Sequence, residues 1–283
     1  METELDRYLN SSAKINVDDL DWAEAKRVGL TADERFVLTY FADIEGQTIF
    51  YLRDLLHTKA AAEPDVIGFT TMWNYEEYFH SRVLIKLLNE CGCSLEDERI
   101  AKVRTTSLFS EKIEAFASVM ISKTFRNSFP ALYMTWGATQ EITTLRGYEQ
   151  VIRTTKNPVL REICERIAKQ ERRHFAWYFN SARQRLEKSK TARWLTRTLM
   201  DLTWSPVGAG VKTDEEVSRM MCLLFPGNEG DEISVGIDAK IATLPGMDGV
   251  NLMARYQKKA REIYQRWKQK RGVSSLAQPE NAA

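Results

Sequence analysis

From about residue 31 to residue 190, apolar side chains return every three or four positions over long windows, with no run of strict alternation, which predicts packed helices rather than strands. The first long helix is expected from about Thr31 to His57. Thr31 is suited to cap it, and Asp33 and Glu34 complement the positive end of its dipole. One stripe along it is Phe36, Tyr40, Ile44, Thr48, Tyr51 and Leu55, with Glu45 beside the stripe. A second helix is expected from Pro64, a residue tolerated in a first turn, to about Glu90, where Gly92 can end it. Trp73, Glu77, His80, Leu84 and Leu87 share one of its faces. A third segment opens near Ser110 and runs to about Asn127, with a break or kink at Phe129-Pro130. A further helix then carries Leu132, Trp136, Glu141, Thr144, Leu145 and Tyr148 to about Thr155. Asn157-Pro158 reads as cap plus first-turn proline for a helix reaching about Leu186; its apolar line of Leu160, Ile163, Ile167, His174 and Tyr178 is interrupted by Glu171.

After residue 190 the periodicity weakens. Trp204-Ser205-Pro206, Phe225-Pro226-Gly227 and Leu244-Pro245-Gly246 punctuate the region, setting off short helices near 213–224 and 232–243 and a basic helix near 247–271. Thr213 with Glu216 fits a capping box, and 274–283 reads as a frayed polar tail. The expected organisation is an N-terminal arm over 1–30, a helical bundle over 31–190, and a helical extension over 191–283 packing on the bundle.

Composition narrows the classes. The chain has 283 residues, ample for a sizeable core, and its formal net charge of +1 argues against a general nucleic-acid binder. No stretch of apolar residues is long enough to span a membrane, and the acidic start does not resemble a secretion signal. The four cysteines are too few and scattered for a disulfide framework, so a reducing cytoplasm is expected. Only three histidines are present, His57, His80 and His174, so any imidazole chemistry draws on these.

Two of the three stand in one local pattern, Glu77-Tyr78-Phe79-His80 and Glu171-Arg172-Arg173-His174. Residues three apart project from one helix face, so each pattern can offer a carboxylate and an imidazole to a common point. Each preceding long helix holds one further glutamate at or beside an inward stripe, Glu45 and Glu141. Carboxylates buried without partners cost several kcal/mol each, whereas two divalent metals would neutralise four of them. Oxygen-rich ligation with one imidazole per metal suits iron or manganese better than structural zinc. The assignment is Glu45 and Glu141 as terminal ligands, Glu77 and Glu171 as bridges, and His80 and His174 as one nitrogen ligand each. It matches the known arrangement of di-iron carboxylate bundles, in which two helices give one Glu each and two give Glu-x-x-His.

At these residues the chain resembles the soluble acyl-carrier-protein desaturases of the ferritin-like superfamily. The resemblance rests on Trp73-x-x-Glu76-Glu77-x-x-His80, on Gln140-Glu141-x-x-Thr144, and on Ile163-Cys164-x-x-Ile167-Ala168-x-x-Glu171-x-Arg173-His174-x-x-Trp177-Tyr178, with Glu45 and Tyr51 similar to the first ligand helix. It covers about residues 31–190. It implies a ferritin-like four-helix bundle with additional helices, two iron ions, O2 as co-substrate, a ferredoxin-type electron donor, and hydrogen removal from an acyl or similar hydrophobic chain, free or carrier-bound. Thr144 matches a family threonine associated with oxygen activation and proton delivery. A homodimer is expected. Two positions depart from the family: Gln170 stands where an acidic residue commonly precedes the last motif, and Tyr78-Phe79 replaces the usual Asn-Arg.

Blander readings compete with these. The two Glu-x-x-His pairs could be exposed helix pairs, and Glu76 competes with Glu77 as ligand. His57 fits a helix end, where a cation complements the dipole. Thr144 could bond its own helix backbone. Trp136, Trp177 and Tyr178 fit a core as well as an electron relay, Arg172 and Arg173 fit either solvent or the support of carboxylates, and the basic runs at 183–190 and 258–261 fit solvated faces or docking of an acidic carrier. Arylamine or amino N-oxygenases of the same fold add a histidine where this chain has Ile167, and a radical-storing reductase subunit would have tyrosine at Leu84. An iron store and a metal-free helical scaffold complete the alternatives.

Overall fold

The helix starts are set by side chains that satisfy the first backbone N–H groups. A computed structural model describes residues 2–93, 124, 125 and 127–271. In it Thr31 and Glu34 form a reciprocal capping box at the start of α3 (Ala32–Glu45), Asn157 caps α7 (Pro158–Lys188), and Thr213 with Glu216 boxes the start of α9 (Asp214–Leu224). Helix α5 (Pro64–Glu90) has the expected bounds, closed by Gly92 at φ +82°, and α6 spans Phe129–Thr154. The segment expected from Ser110 lies outside the described residues.

The helix expected over 31–57 is two helices. Helix α3 stops at Glu45, and α4 (Thr48–Leu56) begins after Gly46 and Gln47. Glycine is a poor helix former, and Thr48 takes the Glu45 carbonyl with its own hydroxyl at 2.9 Å, competing with the helical bond. The break turns the stripe, so Tyr51, expected inside, is 42% exposed. Residues 1–30 contain helices α1 (Glu4–Ser11) and α2 (Trp22–Val28). Helix α8 (Lys190–Thr203) was not expected; it begins directly after Ser189, which ends α7 and caps α8 through the Ala192 N–H. Helix α10 (Gly227–Ala242) starts earlier than the expected 232, and α11 (Met253–Lys270) later than the expected 247. Its start is set by Asp238 on α10, whose carboxylate accepts the N–H groups of Leu252, Met253 and Ala254 at 2.9–3.0 Å.

Among the described residues the regular elements are all helices, with no strand beyond an isolated bridge between Ala209 and Lys212, and no helix is long and apolar enough to cross a membrane. Helices α6 and α7 form the most extensive pairing, α3 pairs with α5, and α5 also touches α7. Helices α1 and α2 lie across α5 and α7. Helix α8 packs on α6 and α7, α9 on α3 and α6, and α11 on α9 and α10. The core includes Leu38, Leu84, Leu87, Leu88, Met134 and Leu160, all fully buried. Gly137 on α6 admits the ring of Tyr178 from α7: a Cβ there would lie 2.4 Å from the ring. Asn157 ties the α6–α7 corner to α2 by donating to the carbonyls of Ala25 and Gly29, each at 3.0 Å.

Candidate metal centre

Helical periodicity points one residue from each of α3 and α6, and two from each of α5 and α7, at the same interior point. Glu45, Glu77, His80, Glu141, Glu171 and His174 are all buried, which excludes the reading of exposed helix pairs. They form two groups, Glu45 with Glu77, His80 and Glu171, and Glu77 with Glu141, Glu171 and His174. In each group one ligand-capable atom per residue lies within 4.8 Å of the others, so each could hold a metal ion.

Glu77 and Glu171 belong to both groups, and the distances show how. Glu77 lies 3.0 Å from His174 Nδ1 and 3.3 Å from His80 Nδ1 of its own helix. Glu171 lies 3.2 Å from His80 Nδ1 and 3.6 Å from His174 Nδ1 of its own helix. Each of these glutamates is nearer the opposite motif's histidine than its own. Glu77 Oε2, both oxygens of Glu171 and Nδ1 of each histidine nevertheless have no partner in hydrogen-bond geometry, although they are buried. Interior polar atoms are nearly always satisfied, so five such atoms facing one another are a set that a metal ion could satisfy.

The other atoms of the six are held from outside. Tyr148 donates to Glu45 Oε1 at 2.7 Å, and Trp73 Nε1 donates to Glu141 Oε1 at 2.9 Å. His174 Nε2 meets Glu76 Oε2 at 2.8 Å, and His80 Nε2 meets Gln170 Oε1 at 2.7 Å. Glu76 stands outside both groups as a buried support for His174, its oxygens already taken by Tyr8, Ala13, Arg173 and His174. Arg173 reaches Glu76, whereas Arg172 pairs at the surface with Glu149.

Burial and the neighbouring charges shift the ionisation of these residues in opposite directions. Burial pushes Glu45 and Glu141 well above the usual carboxylate range, helped by the neighbouring Glu77 and Glu171 charges respectively. Burial opposes ionisation of Glu77 and Glu171 as well, but the neighbouring Glu45 carboxyl and the nearby imidazoles hold Glu77 well below that range, and the imidazoles lower Glu171. Burial likewise opposes charge on His80, yet the nearby Glu77 and Glu171 carboxylates push its pKa up to about 10. His174 is raised well above the ordinary range against its burial, by Tyr8 and the carboxylates of Glu141, Glu171 and Glu76. Burial also works against Glu76, but His174 and Arg173 bring it down to about 2.

Thr144 is half-buried one turn beyond Glu141, and the hydrogen bonds that hold the terminal glutamates come from Trp73 and Tyr148 instead. His57 is exposed at the end of α4 and bonds the Arg53 carbonyl. Trp177 and Tyr178 are core residues: Trp177 stacks on Phe69 at 3.9 Å, and Tyr178 sets its edge to Phe69 and Trp73. Sequence reasoning placed Tyr148 on the Glu141 face but missed its bond to Glu45; their shared helical spacing was the available signal. Tyr8 and Ala13 carried none. A cavity of about 380 Å³ between α1, α5 and α7 is lined by Glu4, Asp65, Trp177 and Arg185 among others and includes none of the six residues. No family model matches the chain, and no curated protein matches it.

Proposed function

We propose that this protein is an O2-dependent non-haem di-iron oxidase of desaturase or hydroxylase type, acting on an acyl or similar hydrophobic chain, free or bound to a carrier protein, within a ferritin-like bundle. The observation that carries the reading is the pair of buried four-residue groups sharing Glu77 and Glu171, with their inward atoms lacking hydrogen-bond partners. The donor set, mainly carboxylate with one imidazole per position, favours iron, with manganese as the other ion such a set accepts. The resemblance to acyl-carrier-protein desaturases supplies the substrate class and a ferredoxin-type electron donor.

When bound, a reduced iron pair supplies the reduction of O2 and the cleavage of an unactivated C–H bond. The chain's own contribution is positioning. Glu77 and Glu171 would bridge the two ions, Glu45 and Glu141 would complete one position each, and His80 and His174 would bind through Nδ1. Tyr148 and Trp73 fix the terminal carboxylates, and Gln170 and Glu76 fix the imidazole planes from behind. The fully buried Ile167 stands where an N-oxygenase would bring a further histidine, so amine oxidation has no added ligand in its favour.

The test is anaerobic loading with Fe²⁺ followed by exposure to O2. Two ions per chain and a transient absorption band that decays faster with an acyl substrate support the oxidase. Simple growth of ferric mineral supports an iron store, and absence of bound metal supports a scaffold; either overturns the proposal.

A further inference from the structure

The two groups are matched almost atom for atom. Each takes one terminal glutamate fixed by a neutral donor, shares the same two bridging glutamates, and adds one histidine. They differ in what stands behind the histidine. His174 Nε2 faces a carboxylate oxygen of Glu76 at 2.8 Å, and His80 Nε2 faces Gln170 Oε1 at 2.7 Å.

Both outer partners are held by Ala13. Its N–H donates to Glu76 Oε1 at 3.1 Å, and its carbonyl accepts from Gln170 Nε2 at 2.7 Å. The second bond decides the orientation of the amide, because a carbonyl can only be met by the NH2 end. Gln170 therefore turns its oxygen to His80, so His80 keeps a proton on Nε2, and a metal would take the place of the Nδ1 proton. On the other side, Arg173 donates to Glu76 Oε1 at 2.7 Å, so the guanidinium fixes the carboxylate by the oxygen that His174 does not use.

A carboxylate that accepts an imidazole N–H draws on the proton and raises electron density on the opposite nitrogen. A neutral amide does so less, because bonds to ionised acceptors are the stronger ones. We propose that the two metal positions are unequal by construction: the Glu141–His174 position takes a divalent transition metal first and more tightly, and the Glu45–His80 position fills second, with Glu76 and Gln170 as the positioning residues that set the order. The inference rests on the metal-centre reading above and adds to it an order of filling.

Changes in such outer partners alter metal affinity by about 10–100-fold, which sets the expected separation of the two steps. The test is titration of the metal-free full chain with Co²⁺ under anaerobic conditions, followed by ligand-field absorption and calorimetry. The wild-type chain is expected to show two one-ion steps separated by about 10–100-fold. Glu76→Gln gives His174 an amide and should weaken the first step toward the second. Gln170→Glu gives His80 a carboxylate and should tighten the second toward the first. Circular dichroism reports folding, and Gln170→Glu decides if Glu76→Gln does not fold. A single step in the wild-type chain, or a separation that stays unchanged in a folded variant, overturns the inference. Failure of the wild-type chain to take up Co²⁺ overturns the metal-centre reading itself, and this inference with it.

Discussion

Loading the centre with metal must expel protons, and their number follows from the charge balance of the six residues. With Glu45, Glu141 and both histidines shifted up and Glu77 and Glu171 shifted down, the balance expected in the metal-free chain is two neutral carboxyls, two imidazolium rings and two carboxylates. Two ions need four carboxylates and two neutral imidazoles, so two carboxyl protons and two imidazolium protons must leave, about two per ion. Each displaced proton contributes a factor of about ten in apparent affinity per pH unit, so binding should strengthen about 100-fold per ion per pH unit while these groups remain protonated, equivalent to about 2.7 kcal/mol. Calorimetric titration with Mn²⁺ at pH 7 in buffers of different ionisation enthalpy counts the protons directly. Repeating it at pH 6.5 and 7.5 checks the affinity change. Release of one proton or fewer per ion would refute the balance and show that the carboxyls already stand ionised.

Three further outcomes are expected. The raised His80 pKa stabilises the metal-free chain fully below about pH 6.5, the unfolded value, and this contribution is lost as pH rises through about 10. Urea unfolding of the metal-free chain should therefore weaken across that window, by up to about 1.4 kcal/mol per pH unit from this group, and a metal-loaded sample should not follow it. Trp73→Phe removes the donor to Glu141 Oε1 and should cost about 1–3 kcal/mol, read as a lower urea midpoint with weaker metal uptake; unchanged values in both would separate Trp73 from the centre. Gly137→Ala drives a methyl into the Tyr178 ring and should cost about 1–3 kcal/mol, so an unaltered Tm would show that the ring yields freely.

What was readable from the chain was whatever repeats with the helix. The six cluster residues sit where a 3.6-residue period places them, and Thr31, Asn157 and Thr213 mark helix starts by chemistry local to a few residues. The break after Glu45 was hidden because its stripe continues in register through Thr48, while the interruption comes from a glycine and one hydroxyl. Helix α8 was hidden because Ser189 alone separates it from α7, although its buried Ala192, Leu195, Thr196 and Met200 recur at helical spacing. The support of the two histidines was half visible: Gln170 stood out as a departure, but its partner is a backbone carbonyl, and backbone groups have no signature in a sequence. Glu76 was indistinguishable from an exposed neighbour of Glu77 until Tyr8, 68 residues earlier, was placed against it.

The double grip of Ala13 also constrains when the protein can mature. Gln170 follows Ala13 by 157 residues, and Arg173 follows Ser11 by 162. A nascent chain that has released α1 to α5 from the ribosome has His80 and Glu77 but neither Glu171 nor the amide that orients His80. Until α7 has emerged, no imidazole here is set for coordination. Any metal uptake would on this account have to wait for α7, which ends at Lys188, rather than accompany the release of α5.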